Sequence, residues 1–182
     1  MRRLLPCLVM AAAASASARA TKECAVGAEE RLRGALWGLF AADALAAPSH
    51  WYYGGASQIR ADYGVRGITG YTKPVTQLRG SIMNKSNISG AGRGAWSASK
   101  SIIGDVINHG KKELWHPTKS IHYHATLEAG ENTLEASLVR VLMRSVVSQG
   151  GTFDPDVFRA DYVSFMQEPG SHNDAYASTC HR

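Results

Sequence analysis

The apolar positions of the chain recur at helical spacing. From Ala28 to Ala47, Leu32, Leu36, Leu39, Phe40 and Asp43 share one face, which predicts a helix with a Leu/Phe stripe, one carboxylate at the C-terminal end of that stripe, and a stop at Pro48. The clearest helix is predicted over residues 133–149. There Leu134, Leu138, Val141, Leu142 and Val146 form the stripe, while Glu135, Arg140 and Arg144 stay wet. Asn132 or Thr133 is its N-cap and Gly150 its natural stop. Asp154-Pro155 places a capping carboxylate before a proline at the first helical position, opening a helix through Phe158, Tyr162 and Phe165 that closes near Pro169-Gly170. A short last helix is predicted from Asn173 or Asp174. Over 95–110, Trp96, Ile102, Ile103, Val106 and Ile107 suit a helix closed by Gly110, with Gly104 leaving a short strand as the alternative. Residues 49–80 read as loop: His50, Trp51, Tyr52 and Tyr53 precede six glycines between Gly54 and Gly80. With no internal repeat and no βαβ alternation, the expected fold class is all-α.

Composition adds that the 182 residues, 45% hydrophobic and 19% charged, suffice for one domain with a core of its own. The first twenty stand apart. Arg2 and Arg3 precede an apolar run from Leu4 to Ala14, and Ala18-Arg19-Ala20 offers the small-x-small pattern of a cleavage site. Residues 1–20 are therefore expected to be a removed signal peptide, placing the protein in the secretory pathway or outside the cell. An organelle transit peptide is the alternative, because residues 1–22 lack acids and are rich in Ala, Ser and Arg. The run is shorter than the roughly 20 apolar residues of a bilayer helix, and no span is expected in the mature chain. Of 20 basic residues, three leave with the leader, so 17 face 15 acidic ones and the net charge falls from +5 to +2. No clustered basic stripe with interleaved aromatics supports a nucleic-acid partner. Of three cysteines, Cys7 lies in the leader, leaving Cys24 and Cys180 as a pair open to disulfide formation. Asn84-Lys85-Ser86 and Asn87-Ile88-Ser89 are glycosylation tripeptides in a polar Gly/Ser-rich stretch.

The candidate chemistry is sparse. Asp43, on a core-facing stripe, requires a partner: backbone amides, a cation or a metal. His122-x-His124 would put two imidazoles on one side of a strand, a zinc-capable spacing, with an ordinary hydrogen-bonded role as the alternative. His172-Asn173-Asp174 at a helix start suits either a cap or a contact to phosphate or ribose. No Gly-x-Ser-x-Gly, Walker A or dinucleotide fingerprint is present, and no catalytic residue is singled out by pattern alone.

Three segments in order resemble the ADP-ribosylglycohydrolase family: Arg33-Gly34-Ala35-Leu36-Trp37-Gly38-Leu39 through Ala42-Asp43-Ala44-Leu45, then Gly130-Glu131-Asn132-Thr133-Leu134, then Gly170-Ser171-His172-Asn173-Asp174-Ala175-Tyr176. In the first, Asp43 holds the aspartate position of a Gly-Asp-Ala-Leu-Gly pattern, with Ala42 and Ala46 replacing glycines. In the second, Gly130, Glu131, Asn132 and Thr133 stand where the family has Thr-Asp-Asp-Thr, and only Thr133 is retained. His50-Trp51-Tyr52-Tyr53, His122-Tyr123-His124 and the Gly-Glu-Asn-Thr-Leu run are similar to a branch sharing this departure.

The resemblance implies a mainly helical domain of the ADP-ribosylglycohydrolase type that cleaves N- or O-glycosidic bonds of ADP-ribose with paired magnesium ions. Its partner would be an ADP-ribose-like small molecule or a modified protein. Glu131, Asn132 and Thr133 would be the metal ligands, and Asp43, His50, Trp51, Tyr52, His172, Asn173, Asp174 and Tyr176 would surround substrate. Mg²⁺ wants hard oxygens in octahedral array, and Asn132 brings a neutral carbonyl in place of a carboxylate, so a weakened, altered or absent metal site is expected. The family completes its metal site with an acidic motif far downstream that has no counterpart here. After a linker at 21–30, residues 31–182 are thus expected to be an N-terminal portion, about half of the family's domain, with weak or no activity. The alternative is a non-enzymatic relative that binds a nucleotide-like ligand or serves structurally, as a crystallin of this family does.

Overall fold

The computed structural model describes residues 27–83, 106–178, 180 and 181. The leader, Cys24, both glycosylation tripeptides and most of the helix expected over 95–110 lie outside the described residues. By internal contacts the chain divides into two units, Met1–Gly38 and Leu39–Arg182. The described residues are helical and contain no strand: α1 is Ala28–Ala46, α2 Gly55–Tyr63, α3 Leu134–Ser148 and α4 Pro155–Gln167, with 3-10 turns at Ala47–Ser49 and Lys112–Trp115. No helix among them is long and apolar enough to cross a membrane.

Local chemistry explains the two best-defined helices. Thr133 sits in extended backbone and its hydroxyl faces the amide of Ala136, capping α3, while Gly150 takes φ +66 beyond the C-terminus. Asp154 accepts from the amides of Asp156 and Val157 at 2.9 and 3.1 Å, with Pro155 at the first helical position of α4. Helices α3 and α4 pack together, with Leu134, Leu138 and Met166 joined by Ile107 and Ala177 in one core cluster. A second cluster gathers Tyr52, Leu78, Met83, Trp115, Ile121, Tyr123 and Tyr176. Its polar edges are satisfied locally. The Tyr63 hydroxyl donates to the Pro48 carbonyl and accepts from the amide of Val75, and the Trp115 indole N–H donates to the Ala175 carbonyl at 2.9 Å.

Four expectations change. The stripe of α1 is not a buried face: Leu32 is 62% and Leu39 40% exposed, and the residues that bury are Ala44, Ala47 and Pro48 near its C-terminal end. Periodicity marks which side of a helix is apolar, but not how many of its turns are covered. The stretch 49–80 contains α2. Its first turn is closed by the Gln58 side chain, which accepts from the Gly54 amide and donates to the Arg79 carbonyl, and Gly64 at φ +87 ends it. The described residues from Asn173 onward do not form the expected helix. Asp174, Ala175, Tyr176 and Ala177 are buried in succession, which no single helical face allows. His122 and His124 lie in turns, with pairing near them limited to one antiparallel bridge, Gln77 to Ile121.

Candidate functional site

Two carboxylates converge on the first turn of α3. The Asp43 Oδ2 accepts from the Thr133 amide at 2.8 Å and from Asn132 Nδ2 at 3.0 Å, and its Oδ1 accepts from the Thr133 hydroxyl at 2.7 Å. Asp174 Oδ2 accepts from the next amide, Leu134, at 2.9 Å, and Oδ1 from the amide of Tyr176 at 3.3 Å. The two amides that α3 offers there are thus taken by carboxylates placed where the helix dipole favours negative charge.

Beside this turn lies a cleft of about 570 Å³ whose lining includes Asp43, His50, Trp51, His124, Thr133 and Tyr176. Trp51 stands edge-on to Tyr123 and Tyr176, with ring centroids 4.4 and 5.6 Å apart, and its backbone is left-handed at φ +58. A bulky residue in that conformation is held there against its own preference. Glu135 also lines the cleft, and desolvation, the largest cause, raises its carboxyl pKa.

A line of three side chains runs into this cleft from the core. His124 and Asp174 have side chains 1% and 0% exposed, and His124 Nδ1 donates to Asp174 Oδ1 and Oδ2 at 2.9 and 3.0 Å. Asp174 also takes two backbone N–H groups, so it acts as an acceptor, and the proton of this bond belongs to His124 Nδ1. In the tautomer protonated at Nδ1, His124 presents a bare Nε2, to which His50 Nδ1–H donates at 2.5 Å. Burial, then the neighbouring His124, lowers the His50 pKa to about 4, against the raising influence of Asp174 and Asp43. His122 is separate from this line. Its Nε2–H donates to the Pro48 carbonyl, its Nδ1 accepts the His124 amide, and burial lowers its pKa to about 4.

The residues expected around substrate are divided. Asp43, His50, Trp51 and Tyr176 line the cleft, and Asp174 supports it from below. Tyr52 belongs to the core, 9% exposed. His172 and Asn173 line a different, polar hollow of about 330 Å³, together with Glu131, Asn132 and Arg140. Within it, His172 Nε2–H donates to the Ile107 carbonyl at 2.8 Å. His124 and Glu135 were not foreseen as part of the cleft. No spacing rule joins His124 to Asp174, 50 residues on.

The oxygens expected to bind magnesium do not fit that role. Thr133 faces the first cleft, whereas Glu131 and Asn132 line the second hollow. Each is also engaged: Glu131 Oε2 accepts from the Glu128 amide at 2.6 Å and Asn173 Nδ2 at 3.0 Å, and Asn132 Oδ1 accepts from Arg140 Nη2 at 2.8 Å. A guanidinium, stacked 5.3 Å over the Phe40 ring, thus stands against the oxygen meant for a divalent cation. No cluster of three metal-ligating side chains occurs among the described residues.

The ADP-ribosylglycohydrolase family model matches residues 25–182. The chain therefore belongs to the ADP-ribosylglycohydrolase family. No curated protein and no solved structure matches it.

Proposed function

We propose that the chain uses the cleft between α1 and α3 to bind an ADP-ribose-type group and to hydrolyse the N- or O-glycosidic bond that links it to a small molecule or a protein. The observation that carries this is the docking of Asp43 and Asp174 on the first turn of α3, which fixes the floor of a cleft walled by Trp51 and Tyr176. Trp51, 38% exposed and backed by Tyr176, offers its ring to a planar base. Asp43 accepts three hydrogen bonds where two carboxylate oxygens can take about four, leaving room for a ribose hydroxyl. The family's metal-assisted route is not supported by the residues present, because the oxygens in question are split between two hollows and already bonded. For the leader, residues 1–20, we keep a secretory address.

A second reading, a non-enzymatic binder or structural relative, is favoured by that same saturation of the motif's oxygens. Thermal melting separates the two in stages. ADP-ribose at a hundredfold excess over its Kd stabilises by about 2.7 kcal/mol. Stabilisation together with release of free ADP-ribose from N- or O-linked conjugates supports the hydrolase. Stabilisation without release leaves the binder, and a melt indifferent to ADP-ribose ends the ligand proposal.

A further inference from the structure

We propose that Asp174, His124 and His50 form a proton relay whose outer end, His50 Nε2, is the base that activates water in the cleft, without a resident metal. The proposal rests on the hydrolase reading above and supplies it with a catalytic group that the family's metal motif, as it stands in this chain, does not.

The geometry sets the direction of the relay. Asp174 is an acceptor fixed by two backbone amides, so His124 directs an N–H from Nδ1 to it, and in the relay its Nε2 carries the lone pair. His50 must then place its proton on Nδ1, leaving Nε2 as the lone pair. That nitrogen has no hydrogen-bond partner among the described residues, and His50 lines the cleft. The buried pair His124–Asp174 is costly to desolvate, and besides receiving the Leu134 and Tyr176 amides on Asp174 it acts on the neighbouring ring. What it does is hold one imidazole in one tautomer and stabilise the positive charge that His50 acquires on taking a proton. His50 is the catalytic base; His124 and Asp174 are positioning residues.

In the reaction, His50 Nε2 takes one proton of a water as its oxygen bonds to the anomeric carbon of the ribosyl group. The bond from that carbon to the leaving nitrogen or oxygen breaks, and the electron pair goes with the leaving atom. The imidazolium then returns the proton to that atom, and His50 is neutral again. The net change is addition of one water across one bond. The ionisable groups around His50 are His124, His122, Asp174, Asp43 and, on the wall of the cleft, Glu135. The Tyr123 ring lies 5.8 Å away and its phenol is pushed up to about 12, so it stays neutral.

The test uses the full chain with a chelator present throughout, ADP-ribose binding by calorimetry, and turnover of N- and O-linked ADP-ribosyl conjugates. The expected result is binding by wild type and by His50→Gln within about twofold, with kcat lowered by about 10²–10⁴-fold in the variant. Asp174→Asn is expected to lower kcat with KM held and to move the acid limb of the pH profile downward, since Asp174 raises the basicity of His50. A merely structural role would not move that limb. Should Asp174→Asn fail to fold, His124→Gln breaks the relay at its middle: kcat is expected to fall with KM held and the acid limb to move upward, since His124 lowers the basicity of His50. Binding with turnover unaltered in His50→Gln, or with turnover appearing only when Mg²⁺ replaces the chelator, overturns the relay and leaves the ligand assignment standing. Absence of binding by wild type overturns both.

Discussion

Asp43 and Thr133, 90 residues apart, hold each other by both main-chain and side-chain bonds, the carboxylate receiving the amide of Thr133 on one oxygen and its hydroxyl on the other. A carboxylate read from the sequence as needing a partner thus finds a backbone amide, a hydroxyl and a side-chain amide. Asp43→Ala leaves the Thr133 amide and hydroxyl without the carboxylate they donate to, while Asn132 Nδ2 keeps the Phe40 carbonyl, and is expected to destabilise by about 3 kcal/mol. Urea unfolding at neutral pH measures this, and Asp43→Asn should fall between the variant and wild type.

The magnesium question has a direct outcome. Because Arg140 occupies the Asn132 carbonyl, millimolar Mg²⁺ is expected to leave the melting temperature unchanged. Gly130→Thr, which returns the family's residue to its position, is expected to cost about 1–3 kcal/mol without restoring metal binding, since Gly130 sits at φ +87. A metal-dependent rise in the melting temperature of either protein would contradict this.

Acid should destabilise the fold. His50, His122 and His172 each have their pKa lowered to about 4, with burial the first cause. Between that value and the ordinary 6.5, the unfolded chain binds protons that the folded chain refuses, so stability falls as pH drops through this window. Unfolding at pH 5 is expected to take up as many as three protons from these groups, read from the pH dependence of the urea midpoint. A midpoint that stays flat from pH 7 to 5 would mean that the three imidazoles are not held neutral by the fold.

Trp115 tests the link between the core and the last segment. Its ring is fully buried and stacks on Tyr176 at 5.6 Å, while its N–H holds the Ala175 carbonyl. Trp115→Phe removes the donor and leaves that carbonyl unpaired, an expected loss of about 1–3 kcal/mol. Ligand affinity should fall with it, since Tyr176 lines the cleft.

Much of the fold was legible in the sequence where local rules act alone. Thr133 with Gly150 and Asp154 with Pro155 bracket α3 and α4 within a residue or two of where they lie. α2 was hidden because its first turn is closed by Gln58, whose other bond goes to a carbonyl 21 residues away. The end of the chain misled because Asn173-Asp174 has the composition of a cap, and Asp174 does serve as an acceptor for helix amides, but for those of α3. The cleft was partly visible: Asp43, His50, Trp51 and Tyr176 were named from resemblance. Glu131 and Asn132 went elsewhere because side chains adjacent in sequence at a helix start point in different directions.

Having α3 held at its start by Asp43 from one side and by Asp174 from the other also governs how the protein comes together. Neither acceptor is local: one precedes the helix by 90 residues and the other follows it by 40. Closing such loops costs entropy before any contact repays it. During synthesis α3 must wait, with its second amide still in water, until Asp174 leaves the ribosome. Docking of the 172–178 segment is then expected among the last steps of folding, and the cleft would exist only in chains that have completed it.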